Sequence, residues 1–274
     1  MAAASAPSAA SASSSPAALA APPFFAFEHV SKAFGANRVL DDVSFTVARG
    51  ETLCIMGRSG VGKSVSLRLF MGFLKPDQGR VVAAENDITD WSEAQLTRLH
   101  EKVTMVFQSG ALFDSLTVGE NVAFPLEQRG SLSEEEIATV VDGLLDMLEI
   151  RRYRDELPAR LSTGMKRAVA IARALAARPE GILYDEPTTM VDPLMVQTIA
   201  DLMQKVQHQV KLTSVVVTHD TRLARRLGDR VVLLHDSRLR FIGTVAEMDA
   251  SDDPVLKTFL AEDEVTLAAA GPRI

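Results

Sequence analysis

The sequence predicts an α/β fold organised on a mostly parallel sheet, and three observations carry that expectation. Short apolar runs alternate with segments of helical apolar spacing, the rhythm of strand–helix–strand units. One run, Thr52-Leu53-Cys54-Ile55-Met56, feeds a glycine loop, Gly57-Arg58-Ser59-Gly60-Val61-Gly62-Lys63-Ser64, which opens a helix. Four apolar strands stop at polar residues with usable chemistry, namely Gly57, Gln108, Asp185-Glu186 and His219. Parallel sheets bind ligands outside the carboxyl ends of their strands. If those four strands are neighbours, their terminal side chains converge on one site.

The chain has 274 residues, 47% hydrophobic and 24% charged, ample for one large domain or one domain with a lobe. Its net charge of −7 and pI of about 5.3 argue against nucleic acid as the main partner. Two basic clusters, Arg151, Arg152, Arg154 and Arg222, Arg225, Arg226, read as solvated faces. The single cysteine, Cys54, reads as a small core residue; with no intramolecular disulfide available, a reducing cytoplasm fits. No apolar run approaches the ~20 residues of a spanning helix.

Residues 1–23 are almost wholly Ala, Ser and Pro and carry no charged side chain. A signal peptide needs a basic start and an unbroken apolar core. This stretch has neither, so a disordered leader or a mis-assigned start is expected.

Strands are expected at Phe25 to Val30 and Val39 to Val47, with Phe34 in the connection between them. An aromatic there can stack on an adenine or serve as a satellite core residue. A helix follows the loop from Lys63 to Leu74, then a turn at Lys75 to Gly79 and a strand from Arg80 to Ala84. A short helix over Ser92 to His100 precedes the strand Val103 to Phe107, which stops at Gln108. From about Ser109 the chain reads as an inserted, mostly helical lobe. Ile137, Val140, Val141, Leu144, Leu145 and Leu148 have helical spacing, capped by Ser131 or Ser133. A further helix covers Met165 to Ala176. Beyond it come the strand Gly181 to Tyr184, a helix from Pro193 to Val210, the strand Ser214 to Thr218, a hairpin over Asp229 to Gly243 and a closing helix, Val245 to Leu260.

The loop matches the phosphate-cradling pattern G-x-x-x-x-G-K-[ST] at every fixed position. Its backbone N–H groups and the helix's positive end form an anion site. Lys63 is placed to reach β- and γ-phosphates and Ser64 to ligate magnesium, so a nucleoside triphosphate ligand is expected. Asp185 suits magnesium, a hard cation that keeps several waters. Glu186 can orient and deprotonate an attacking water, Gln108 can sense the metal or that water, and His219 can hydrogen-bond the γ-phosphate.

With these residues in view, the chain from about Phe24 to Leu260 resembles the nucleotide-binding subunit of ABC transporters. The resemblance rests on Phe34, the loop at 57–64 with Val65, Gln108, Leu161-Ser162-Thr163-Gly164-Met165, Asp185-Glu186-Pro187, Asp192 and His219 in this order. It implies a P-loop core with an antiparallel β portion at its N-terminal end. It also implies an ABC ATPase domain over 24–262, a helical subdomain over about 109–176 and a tail over 263–274. ATP and Mg2+ are the implied ligands, with Phe34 stacking on adenine, Glu186 as catalytic base, His219 as a switch contact and Asp192 in the nucleotide site. Ser162 to Met165 would face ATP held by a second copy, giving a homodimer that drives membrane permease subunits. A peripheral place on the cytoplasmic face of the bacterial inner membrane follows, with no role for nucleic acid.

The segment from Phe107 to Val118, with Glu120 to Leu126 and Met165, is similar to ATPases of the Mla type. This implies phospholipid transport with an MCE-domain partner. So does the run from Gly243-Thr244 through Asp253-Pro254 to Phe259-Leu260. Thr163 stands where that signature usually has glycine, and Met190-Val191 where Gly-Leu is usual. A Cβ at Thr163 restricts the backbone and crowds the partner's phosphate, so a slower site is expected. The other readings are an ABC-type protein acting on DNA or ribosomes, and a regulatory ATP binder with little turnover.

Overall fold

The computed structural model describes residues 21–191 and 193–269. The expected leader up to residue 20, and Asp192, lie outside the described residues. A four-stranded antiparallel sheet has the order β2-β1-β4-β5, with β1 at Phe25–Phe34, β2 at Asn37–Val47, β4 at Gln78–Ala83 and β5 at Asn86–Asp87. The six-stranded sheet has the order β10-β9-β3-β8-β7-β6. Its strands are β3 (Thr52–Met56), β6 (Val103–Val106), β7 (Gly181–Asp185), β8 (Thr213–Thr218), β9 (Arg230–His235) and β10 (Arg238–Thr244). All run parallel except β10, which returns antiparallel on β9.

Side-chain alternation divides the parallel strands between two cores. Cys54, Met56, Ile182, Tyr184 and Val216 pack on one face, while Leu53, Ile55, Leu183, Val215 and Val217 pack on the other. Burial on both faces is why these strands are continuous apolar runs. Burial also pushes the Cys54 thiol up to about 12, which leaves it protonated and inert.

The first face holds α3 (Val118–Arg129), α4 (Glu134–Met147), α5 (Thr163–Ala176), α6 (Pro193–Val210) and α7 (Thr221–Leu227). The expected helical lobe is therefore present, and Ser133 is its cap at α4, its hydroxyl accepting from Glu136 N at 3.3 Å. The second face holds α1 (Lys63–Phe70) and α2 (Glu93–Lys102). The ring of Phe70 lies 4.9 Å from Phe25, 4.4 Å from Phe27 and 6.1 Å from Phe45, which fastens the antiparallel sheet to α1.

Several boundaries differ from expectation. Phe34 is the last residue of β1, paired with Asn37, and the connection is only Gly35-Ala36. Helix α1 stops at Phe70 because Gly72 turns left-handed (φ +70°) against the Leu96 side chain. The closing helix is two helices, α8 (Val245–Asp249) and α9 (Pro254–Ala269). Asp253 caps the second, accepting from Val255 N and Leu256 N at 2.9 and 3.0 Å, and Pro254 takes its first turn. The expected boundary after 262 thus falls inside α9 rather than before a tail.

Phe70 is fully buried, so Phe70→Ala should remove about 3–5 kcal/mol of unfolding free energy. Urea denaturation followed by the fluorescence of Trp91 measures it. A loss below about 1 kcal/mol would show that the surrounding rings collapse into the space.

Candidate functional site

Strands β3, β8, β7 and β6 are consecutive neighbours, so Gly57, His219, Asp185-Glu186 and Gln108 emerge along one edge of the sheet. A cavity of about 510 Å³ opens there, lined among others by Arg58, Ser59, Gly60, Gly62, Lys63, Ser64, Val65, Gln108, Glu186 and His219. Gly57 and Gly62 are glycines by necessity. A Cβ on either would stand 2.6 Å from a carbonyl, Leu234 O or Val39 O, and Gly62 enters α1 at φ +103°. Val61 packs against Gly57 from within the loop.

Lys63 is buried, and its ammonium donates to Gly57 O at 2.8 Å and Arg58 O at 3.1 Å. The same Nζ lies 3.2 Å from Glu186 Oε1. Glu186 Oε2 accepts from Thr189 Oγ1 at 2.9 Å and faces His219 Nδ1 at 2.7 Å. Burial works to raise the Glu186 carboxyl, but the His219 hydrogen bond, the Lys63 charge and the Thr189 hydroxyl outweigh it and hold it below its ordinary value. The hydrogen bond to Glu186 raises the His219 imidazole, against burial and the Lys63 charge.

Ser64 Oγ donates to Asp185 Oδ1 at 2.7 Å. Burial raises the Asp185 carboxyl and the neighbouring Glu186 charge adds to this, while the Ser64 bond opposes it. Asp185 lies behind Ser64, whose hydroxyl lines the cavity together with Gln108, and this hard-oxygen set fits magnesium. No cluster of three or more His, Cys, Asp or Glu side chains suited to a metal occurs among the described residues. Magnesium does not need one, because it is usually held by one or two carboxylates together with phosphates.

Other candidates lie apart. Phe34 is 49% exposed, with the Lys32 ammonium 5.7 Å from its ring centre, and it is not among the cavity's lining residues, whereas Val39 is. Ser162 to Met165 open α5 away from the cavity, Ser162 Oγ accepting from Met165 N at 3.3 Å. Thr163 is exposed and Gly164 is packed under Met195. Sequence reasoning missed Thr189 and the α9 residues Phe259, Glu262 and Asp263, all of which line the cavity. The pair Phe259-Leu260 had only marked a family-like tail, and no local pattern flags the others.

The family model for the ABC transporter matches residues 40–189. The chain belongs to the ABC transporter family. It is 38% identical over 214 residues to the methionine import ATP-binding protein MetN of Cupriavidus metallidurans, covering 78% of this chain and 62% of that protein. It is 33% identical over 231 residues to the "Probable ribonucleotide transport ATP-binding protein mkl" of Mycobacterium tuberculosis, covering 84% of this chain and 64% of that protein. The chain therefore spans somewhat less than two thirds of the length of these relatives.

Among solved structures, the ATP-binding cassette MJ0796, a dimer in a post-hydrolysis state bound to ADP and Pi, is 34% identical. It superposes with a TM-score of 0.73 over 81% of this chain and 98% of that one. The cassette cbiO1 of Clostridium perfringens, part of the ABC transporter complex cbiONQ, is 30% identical with a TM-score of 0.77, over 87% and 95% of the two chains. The expected α/β cassette fold, with its antiparallel portion and helical lobe, is thus the fold of the protein.

The Glu186–His219 pair has a defined pH signature. A depressed carboxyl contributes stability above its unfolded value of about 4.5, and a raised imidazole contributes it below about 6.5. The contribution is complete between those values. It fades as pH rises through the raised imidazole value and as it falls through the depressed carboxyl value. The melting temperature of wild type should exceed that of His219→Gln most between pH 4.5 and 6.5, and the difference should shrink at pH 8. A difference that is flat across this range would show that the pair does not ionise as described.

Proposed function

We propose that the chain is the ATP-binding and hydrolysing subunit of an ABC transporter, energising phospholipid transport through permease partners of the Mla/MCE type. One observation carries the hydrolytic part: Glu186 sits beside the loop lysine with its carboxylate oriented by Thr189 and His219. The loop amides from Gly57 to Ser64 and the start of α1 bind the phosphates, and Lys63 neutralises their charge. Ser64, Asp185 and Gln108 would hold magnesium, which would supply further charge neutralisation at the phosphates. Glu186, kept ionised, accepts a proton from the attacking water, and His219 holds Glu186 and the γ-phosphate in register. Phe34, which lies outside the cavity lining, is assigned to the adenine by the family resemblance alone.

Ser162 to Met165 lie outside the chain's own cavity, which supports the reading that a second copy presents them in a head-to-tail homodimer. Thr163, exposed at that position, slows the site without blocking it. Among the described residues no helix is long and apolar enough to cross a membrane. The family membership supports separate permease partners, and with them a peripheral place on the cytoplasmic face of the bacterial inner membrane.

The lipid assignment is supported by the segment Phe107 to Val118, by Glu120 to Leu126 and by Met165. The alternative is another cargo class, since relatives carry names for methionine and for spermidine/putrescine import. Nucleic acid is disfavoured by paired basic groups: Arg151 and Arg154 bridge to Asp142, and Arg225 bridges to Asp249.

Glu186→Gln should abolish steady-state hydrolysis by the assembled complex, a loss of at least about 100-fold, while ATP remains bound. Wild-type turnover in that variant would remove Glu186 from the role of base. Purification of the tagged chain from detergent-solubilised membranes should bring down a permease, an MCE-domain protein and phospholipid. Permeases of an amino-acid or polyamine importer in their place would refute the lipid reading and leave the ATPase reading intact.

A further inference from the structure

Helix α9 reaches the nucleotide cavity from the far end of the chain, where Phe259, Glu262 and Asp263 line it, and the two carboxylates fasten it at two points. Glu262 engages Arg58 of the glycine loop, with both carboxylate oxygens within 2.6 Å of the guanidinium. One residue on, the nearly buried Asp263 turns toward the opposite wall. Its Oδ2 accepts from Thr221 N at 2.8 Å and from Thr221 Oγ1 at 2.6 Å.

Thr221 is fully buried, opens α7 and stands two residues beyond His219. Helix α7 already has a local cap in Asp220, which accepts from Arg222 N and Leu223 N at 2.9 and 3.1 Å. The N–H of Thr221 is left over by that cap, and a carboxylate 42 residues along the chain takes it. The start of α7 is thus held from two sides, and His219 hangs from it at the end of β8. The imidazole itself is half exposed, so packing alone does not fix the distance at which Nδ1 meets Glu186.

We propose that Asp263 is a positioning residue for His219: by fixing Thr221 it sets the place of the imidazole against Glu186, and α9 thereby forms a wall of the nucleotide site. The inference rests on the hydrolytic reading given above only for its kinetic consequence. Its geometric content stands on the two Asp263–Thr221 hydrogen bonds, on the two-residue step from Thr221 back to His219, and on the His219–Glu186 contact. Three charged groups act on the imidazole, each from a different element: Glu186 after β7, Lys63 on α1 and Asp263 on α9. Asp263 contributes a negative charge to that set, which favours the protonated ring.

The test uses the full-length chain with Asp263→Asn, which keeps the size of the side chain and removes its charge. The His219 ring is titrated by NMR, its resonance assigned by its loss in His219→Gln. The imidazole should titrate at lower pH in Asp263→Asn than in wild type. In the assembled transporter kcat should fall about tenfold with KM for ATP within about twofold. In a His219→Gln background the same change should cost nothing further, because the residue acts through the histidine. Thr221→Val, which loses the hydroxyl's bonds to Asp263 and from Arg225 but keeps the N–H bond to Asp263, should move both readouts less and in the same direction, and it serves if Asp263→Asn does not fold. An unchanged His219 titration in the variants, or an equal loss of kcat with and without His219, would overturn the proposal. Absence of ATP hydrolysis by the wild-type complex would instead refute the functional reading, with the NMR titration still deciding the positioning role.

Discussion

The parallel register of three strands is the constraint on which the site depends. β7 and β8 pair Asp185 with Val217, and Glu186 N donates to Val217 O at 2.9 Å. β3 and β8 pair Met56 with Thr218. Residues just beyond those pairs, Gly57, Glu186 and His219, must then surface side by side. A slip of one residue would turn every side chain of the slipped strand to the opposite face. The apolar alternation of Leu53 to Met56, Ile182 to Tyr184 and Val215 to Val217 between two separate cores forbids such a slip. The chemistry at the edge is thus specified by packing well below it.

The backbone immediately after β7 is shaped for the same end. Glu186 takes a left-handed conformation at φ +46° although it precedes Pro187, a position that favours extended geometry. For a residue with a side chain this costs about 1–2 kcal/mol. The turn returns Thr189 N to Glu186 O at 3.2 Å and brings the Thr189 hydroxyl onto Glu186 Oε2. A relaxed backbone would carry Thr189 away and leave the half-desolvated carboxylate short of a donor. Local strain of this kind is concentrated at functional sites because the surrounding contacts over-determine it.

What could be read in the sequence follows from the range over which each residue acts. β3, β7 and β8 were legible because burial on both faces makes them uninterrupted apolar runs between polar stops. The glycine loop was legible because its steric demands fall on fixed positions, as the carbonyls of Leu234 and Val39 show. β1 and β2 extend further than their apolar content suggests, since their outer ends are held by pairing in the hairpin rather than by the core. The break between α8 and α9 is a capping event at Asp253-Pro254, which apolar spacing does not record. Asp263 and Glu262 were silent because their partners, Thr221 and Arg58, are distant in sequence and bear no motif relation to them.

The helix that begins with Ser162 is bound mechanically to the loop that carries Gln108. Arg167 donates to Phe107 O at 3.0 Å, and Arg173 donates to Ala111 O at 2.8 Å and Gly110 O at 3.1 Å. Burial lowers both guanidinium groups, and Arg167 Nε has no hydrogen-bond partner. Such groups are costly to bury, and here the carbonyls of Phe107, Gly110 and Ala111, with the Phe113 ring 5.7 Å from the Arg173 guanidinium, offset part of that cost. Gly110 fits under this arrangement because its φ of +79° keeps the chain close to Lys166 O and Ala170 Cβ. The helix that opens at Ser162 to Met165 is therefore tied through Arg167 and Arg173 to residues 107, 110 and 111, which flank Gln108 on the nucleotide cavity.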